Sequence, residues 1–303
     1  MKLLIPVESI IQNVGGIILY DPHENKILKE YVHDKKWKRS GWRGGIIFQD
    51  YLIATDWTDI HYFNIKKWKY ERSFIKKTFN DLHYLEVRDN HLYVVNTGLD
   101  CIEILSNPLE PKSEEMIFLF EVFPEVFEKR KIDLSQSYND KLKIRPHVAH
   151  PNCITFSPEG DMIVTCFGQP PKVNHGNIVN VTKKTIIFSR RYDCHDGLFY
   201  RGKFFTTLTR QSKILSAKME KFPTKPDIFL NLKRKGWWRG MVIHDDIIYL
   251  FASDGYRGKK TTATLAIIDM KTKNVKFQKL PVFSSIHWDT VYQPNLLLEG
   301  DIG

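Results

Sequence analysis

The sequence predicts an all-β fold, a six-bladed β-propeller, and three observations lead there. Short alternating strands separated by polar turns recur along the 303 residues at periods of about 40 to 50 residues, a spacing that suits propeller blades rather than a sandwich. The openings that align are Arg43, His83, His150, His195, Arg239 and His287, successively about 40, 67, 45, 44 and 48 residues apart, and six openings imply six blades. The ends are complementary: the last group, IHWDTVYQPNLLLEG from Ile286, supplies only inner strands, and the N-terminal hairpin has no inner strands of its own. Joined, they complete one blade and close the ring without an open sheet edge. A local repeat supports the register, because KRSGWRGGI at 38–46 matches KRKGWWRGMV at 233–242 with one inserted Trp.

Each element follows from its residues. Segments 15–20 and 26–32 flank turn residues 21–25 and read as a hairpin. Strands are predicted at 45–48, 51–55 and 59–65, and DLHYLEVRDNHLYVVNTGLDCIEIL (81–105) repeats the arrangement with Arg88, Asp89 and Asn90 in its turn. At 145–168 a polar cluster runs into strands at 153–157 and 162–167 around a Pro-Glu-Gly-Asp turn, followed by a pair at 177–181 and 185–188. HDGLFYRGKFFTTLTRQSKIL from His195 and WWRGMVIHDDIIYLFASDG from Trp237 open the next two groups. One interval departs from this rhythm. Residues 107–143, with Pro108, Pro111 and an amphipathic stretch at 121–131, read as an insertion of loop and short helix in a single propeller domain spanning 1–303. An insertion of that size serves as a lid or covers an apolar patch.

With 42% hydrophobic and 13% aromatic residues the chain can bury a substantial core. The apolar run at 3–7 is too short for a secretory signal, and no stretch approaches the roughly 20 apolar residues of a spanning helix, so a soluble cytoplasmic protein with no membrane partner is expected. Cys101, Cys153, Cys166 and Cys194 lie far apart with no CxxC and read as small buried thiols in a reducing compartment. The formal charge of +10, 45 basic against 35 acidic residues, favours anionic partners. Interleaved lysines at 35–39, 66–77, 129–143 and 233–239 read as solvated faces, so a small anionic substrate is favoured over nucleic acid.

The segments HPNCITFSPEGDMIVT, HDGLFYRGKFFTT and RGMVIHDDIIYLF resemble the blade openings of six-bladed propellers of the NHL and SMP-30 kind. They most resemble a bacterial propeller family, without an assigned activity, that carries similar H-x-N, H-D-G and R-G motifs. The likeness covers residues 81–254. SMP-30 lactonases use a Glu, Asn and Asp metal set with no convincing counterpart here. The peptidylglycine lyase domain, also six-bladed, holds zinc with histidines near its axis, and the chain is similar in that respect alone.

Inner strands of a propeller begin at one rim of the central channel, so residues at their starts converge on the axis. His83, His150, His195 and His287 are therefore expected to face one another, with Arg43 and Arg239 on the remaining blades. Several imidazoles at one point suit a divalent transition metal such as zinc, iron or manganese, with nitrogens about 2.0 to 2.2 Å away; the bland alternative is hydrogen-bonded histidines lining a wet channel. Arg43, Arg239, Arg145, His147 and Asn152 are the expected substrate-binding residues at that rim. Connections between second and third strands bring Asp56, Asn96, Thr97, Thr209, Arg210, Asp254, Tyr256 and Arg257 there as well, with Asp56, Asp254 and Tyr256 as candidate general bases. Asp196 and Asp289 stand where they could orient imidazoles. His23, His33, His61, His91, His175 and His244 fall in turns or outer strands and are expected to face solvent. No G-x-S-x-G, P-loop, H-E-x-x-H or dinucleotide fingerprint is present. The expectation is a metal-dependent lyase, isomerase or hydrolase acting on a small anion; the alternative is a non-catalytic propeller that binds a peptide, glycan or nucleic acid, because the fold hosts both.

Overall fold

The computed structural model describes residues 1–9, 12, 14–33, 41–139, 148–168, 176–190, 193–218, 226–253, 263–291 and 293–297. The chain opens with β1 (Lys2–Ser9), β2 (Val14–Asp21) and β3 (Lys26–His33), the outer strands of the blade that closes the ring. The first complete blade is β4 (Gly45–Phe48), β5 (Tyr51–Thr55), β6 (Asp59–Asn64) and β7 (Lys69–Ile75); the second is β8 (Leu82–Arg88), β9 (His91–Asn96), β10 (Cys101–Ser106) and β11 (Lys112–Phe118). The third blade is β12 (Pro151–Phe156), β13 (Met162–Cys166), β14 (Gly176–Asn180) and β15 (Thr185–Arg190), and the fourth is β16 (Cys194–Tyr200), β17 (Lys203–Leu208), β18 (Lys213–Lys218) and β19 (Asp227–Asn231). The fifth is β20 (Trp237–His244), β21 (Ile247–Ser253), β22 (Ala263–Asp269) and β23 (Val275–Lys279). Two short strands, β24 (Thr290–Val291) and β25 (Asn295–Leu297), pair antiparallel with β1 as the inner edge of the closing blade.

The ring is closed by contact as well as by sheet order. Inner strands touch in sequence, β4 to β8, β8 to β12, β12 to β16 and β16 to β20, and β25 touches both β20 and β4. The hairpin at 15–32 does join the C-terminal strands, but through β1, which the sequence reading left out. β24 pairs with Val7 and Glu8, and β25 with Lys2, Leu3 and Leu4. Pro6 falls in the gap between them, where a missing N–H removes no bond to the inner strand.

Blade sequences are apolar on both faces because each blade is covered twice. In β5, Leu52 and Ala54 pack toward the closing blade with Leu4, Ile17 and Leu19. Ile53, between them, packs the other way with Leu85, Leu92 and Val94 of the second blade. This period-2 division repeats around the ring and fills each of the six blade interfaces with its own cluster. Outer strands such as β7 (KYERSFI) are half exposed and carry the lysines and glutamates. Among the described residues no helix is long and apolar enough to cross a membrane.

The insertion is shorter than the sequence suggests. Residues 112–118 are not part of it but form β11, whose consecutive, exposed Glu114 and Glu115 are those of a solvated outer strand. The helix also lies earlier than 121–131: α1 (Leu119–Val122) is a single turn, because Pro124 cannot continue it. Leu119, Phe120, Phe123 and Phe127 bury themselves against the cluster between the second and third blades. All four cysteines are buried and free.

Candidate active site at the mouth of the propeller axis

A β-bulge near the start of the inner strands aims side chains at the axis. In β8 the register slips between Leu82 and Tyr84, in β12 between Pro151 and Cys153, in β16 between His195 and Leu198, and in β20 between Arg239 and Met241. In the first blade Arg43 N–H donates to Thr55 O at 2.6 Å while Thr55 N–H donates to Gly44 O at 2.8 Å, so two residues again face one. The extra residues are thus Gly44, His83, Asn152, Asp196 and Gly240. The histidines do not share one repeat position: His195 is level with Arg43 and Arg239, His83 lies one residue later, and His150 one residue before Pro151. Gly44 is required by close approach, since a Cβ there would lie 2.5 Å from Tyr84 Cα and 2.6 Å from His83 O.

Three of the four histidines nevertheless gather. The rings of His83 and His150 meet edge to face at 5.2 Å, and His195 lies close enough to help depress the His83 pKa. His83 Nδ1 is 2.8 Å from Asp81 O; a carbonyl only accepts, so Nδ1 carries the proton and Nε2 keeps its lone pair. Burial, reinforced by Arg43 and His195 and opposed by Asp81, pushes the His83 pKa down to about 3. Asp81 also holds Arg43, Oδ1 to Nη1 at 2.5 Å with both side chains buried, and the guanidinium lies 4.1 Å from the Trp57 ring. Arg43 therefore braces the His83 corner and is already neutralised by a carboxylate.

His150 sits at φ +49° on a loop pinned by Asp100, which is itself left-handed and fully buried. The Asp100 carboxylate accepts N–H bonds from Val148 (2.9 Å), Ala149 (3.1 Å) and His150 (2.8 Å), and Arg130 Nη1 of the insertion at 2.6 Å. His195 is set the opposite way to His83. Asp196 N–H donates to His195 Nδ1 at 3.0 Å, and Asp196 Oδ1 lies farther from the same nitrogen at 3.3 Å; the shorter contact, whose donor is fixed, places the ring proton on Nε2. Asp196 Oδ1 accepts Gly240 N–H at 3.0 Å and Oδ2 accepts the Thr207 hydroxyl at 2.8 Å, tying the fourth blade to the fifth.

The remaining predicted residues separate. His287 stands three residues before the inner strand; its backbone N–H donates to Gln12 Oε1 at 3.0 Å, while Asp289 nearby is buried. Arg239 is half-buried on β20. Asn152 is a bracket between blades, Nδ2 donating to Cys194 O at 2.9 Å. Asp56 lies in the β5–β6 turn of the first blade. Its Oδ1 accepts N–H bonds from Thr58 and Asp59, both 2.8 Å, and Oδ2 meets His61 Nε2 at 3.0 Å. Arg145, His147, Asp254, Tyr256, Arg257 and His175 lie outside the described residues.

Two histidines expected in solvent are buried instead. His61, on the third strand of its blade, is 0% exposed and stacks on Trp42 at 4.8 Å; His33, at the end of β3, meets it edge-on at 5.0 Å. Blades are covered on both faces, so position in an outer strand does not imply exposure. Among the described residues, Asp56, Asp59 and His61 form the one group of three whose ligating atoms lie within 4.8 Å of one another. Asp81 and Asp100 are not marked by the sequence pattern; the close spacing in Asp81-Leu82-His83 was the available signal for the first, and none was available for Asp100, whose partners lie at 148–150. Glu86 was also missed: half-buried on β8, its carboxyl is pushed up to about 7 by burial, opposed by the Val87 N–H.

The sequence matches no family model and no curated protein. Solved structures match over most of the chain. A chain of a nidogen/laminin complex superposes with a TM-score of 0.64 at 10% identity, covering 97% of both chains. The fold is a six-bladed β-propeller. Similar as well are virginiamycin B lyase from Staphylococcus aureus, in a catalytically inactive form with quinupristin (TM-score 0.52, 12% identity, 80% of this chain and 71% of that one), and the Cps50 (Swd1) β-propeller domain of Myceliophteria thermophila (0.50, 8%, 88% and 81%). At such identities the likeness is one of fold, and a lyase stands among the neighbours beside propellers named for no reaction.

Proposed function

We propose that the chain is a lyase or isomerase that moves a proton on a small anionic substrate at the mouth of the propeller axis. One observation carries this reading: at the same mouth His83 Nδ1 donates to Asp81 O, while His195 Nδ1 takes the Asp196 N–H at 3.0 Å in preference to Asp196 Oδ1 at 3.3 Å, which gives the two rings opposite tautomers. His83 Nε2 is then an acceptor and His195 Nε2–H a donor, the two partners that removing and returning a proton requires. Arg239, half-buried beside the bulge of β20, supplies positive charge toward the substrate. Kinship with NHL and SMP-30 propellers, suggested by the H-x-N, H-D-G and R-G openings, belongs to the same proposal. So does a cytoplasmic location, supported by four buried free thiols.

A divalent transition metal, zinc, iron or manganese, extends the proposal through His83, whose neutral ring and fixed Nδ1–H are the arrangement of a metal-ligating imidazole. It would supply a Lewis acid at the substrate. His195 does not fit as a companion ligand through Nδ1, which already accepts the Asp196 N–H. Elemental analysis of untagged protein separates the cases: close to one equivalent, lost in His83→Gln, supports the metal, and less than about a tenth of an equivalent leaves the histidines acting alone.

The reaction is tested by proton exchange. Protein is incubated with 2-keto and 2-hydroxy carboxylates in deuterated water, and loss of the C–H signal next to the carboxylate or ketone is followed by NMR. Exchange that falls about a hundredfold or more in His83→Gln and in His195→Gln, with folding kept, is the expected outcome. Exchange unchanged in both variants, or a mouth that binds a peptide or glycan with no exchange of any probe, contradicts it.

A further inference from the structure

Beside the two histidines, a group of rings with a cation spans the fourth blade. Phe167, just after β13, and Trp237, which opens β20, belong to the third and fifth blades, yet their rings lie near parallel, 6.1 Å apart and 16° between planes. Neither ring belongs to any of the six clusters that fill the blade interfaces. Arg210, from the 3-10 turn Thr209–Gln211 of the fourth blade, places its guanidinium 5.4 Å from the Phe167 centroid and 4.9 Å from that of Trp237. Phe167 in turn meets His150 at 5.4 Å, and His150 meets His83 at 5.2 Å. The rings therefore form a continuous chain of contacts from Arg210 to His150 and His83.

Arg210 is held as a recognition group rather than as an internal brace. Its Nε forms an ion pair with Asp193 Oδ2 at 2.9 Å, and the side chain remains 51% exposed. Nη1 and Nη2 take no hydrogen-bond partner among the described residues, so the end of the guanidinium presents a planar pair of donors while Nε is tethered. That arrangement suits bidentate capture of a carboxylate or phosphate. Arg43 differs on each count, being buried and spending its Nη1 on Asp81.

We infer that Arg210, Trp237 and Phe167 form a binding site for a planar conjugated anion, whose flat π system stacks on the two rings while its acidic group takes the Nη1 and Nη2 donors of Arg210. This rests on the proposed small anionic substrate and narrows its class to an aromatic or conjugated acid. A saturated acid would keep the charge contact and lose the stacking; a neutral aromatic would do the reverse.

The test is calorimetric and uses 2-naphthoate, with 2-naphthol as the uncharged analogue and decalin-2-carboxylate as the saturated one. Wild-type protein is expected to bind 2-naphthoate about tenfold or more tightly than either analogue, and Arg210→Gln and Trp237→Leu are each expected to weaken it about tenfold. Should Trp237→Leu fold poorly, Trp237→Phe, which keeps a ring, is expected to bind within about threefold of wild type while Arg210→Gln does not. Equal affinity for naphthoate and its saturated analogue, no binding of naphthoate at millimolar concentration, or wild-type affinity in Arg210→Gln overturns the inference. His195→Gln separates this site from the proposed chemistry. Naphthoate binding kept in that variant while no probe exchanges in wild type would leave the binding site standing and the proton-transfer reading refuted.

Discussion

Histidine and aspartate meet twice on the same face of the propeller. In the first blade, Asp56, Asp59 and His61 form a compact group with ligating atoms within 4.8 Å of one another, yet the group is closed on itself. His61 is fully buried against Trp42, its Nε2 is taken by Asp56, and the other Asp56 oxygen receives two backbone N–H groups. Although burial opposes it, the charge and hydrogen bond of His61 with those N–H donors hold the Asp56 carboxyl below its ordinary range. At the axis the same residue types are spread over three blades, and the tethers there fall on Nδ1 of His83 and of His195. Proximity of ligating atoms marks the better-braced turn, while the axial histidines are held by Nδ1 instead of Nε2.

The largest effect expected to sharpen this contrast comes from His83. Its folded pKa of about 3 lies below the 6.5 of an unperturbed histidine, so between those values the unfolded chain holds a proton that the folded chain lacks. Stability should therefore fall as pH drops from about 6.5 toward 3, by at most about 5 kcal/mol, and His83→Gln should flatten that part of the profile. An unchanged slope in the variant would place the titration elsewhere. Next is Asp81→Ala, which strands the buried Arg43 guanidinium; a loss of about 3–5 kcal/mol in urea unfolding is expected. A loss under about 1 kcal/mol would mean that Arg43 is braced by something other than this pair.

Glu86 works in the opposite sense. Its folded pKa of about 7 lies above the ordinary carboxyl value of 4.5, so the folded state holds the extra proton and stability should fall as pH rises between those values. The change is about 3 kcal/mol at most, and Glu86→Gln should abolish it. Smaller again is His61→Leu, which exchanges the Asp56 contact for apolar packing on Trp42. A loss of about 1–3 kcal/mol is expected, with ligand binding at the axis untouched. Loss of binding without loss of stability would transfer function to the first blade and break the contrast.

The fold was largely legible because blades repeat the same physical problem. Strands such as YLIAT at 51–55 must be apolar on both faces, and the polar turns between them reset at regular intervals. β1 escaped because Leu3 to Val7 carries no turn pair and includes Pro6, which is tolerated only in the gap between β24 and β25. β11 escaped because an outer strand bearing Glu114 and Glu115 is hard to tell from a polar loop. At the site, residue types were legible and their levels along the strands were not, since a single-residue bulge moves a side chain without altering composition. Asp81 and Asp100, both left-handed with φ of +54°, are not marked by the sequence pattern; only the fold brings the Asp100 carboxylate to the backbone of 148–150.

The most direct test of the axial site is the protonation of its two histidines, read by nitrogen-15 NMR of the ring nitrogens and assigned with His83→Gln and His195→Gln. His83 should carry its proton on Nδ1 and stay neutral down to about pH 4, because burial pushes its pKa down to about 3, while the tautomer of His195 should be the one with its proton on Nε2. Identical tautomers for the two rings, or a His83 that titrates near 6.5, would contradict the opposed donor and acceptor on which the proposed chemistry depends.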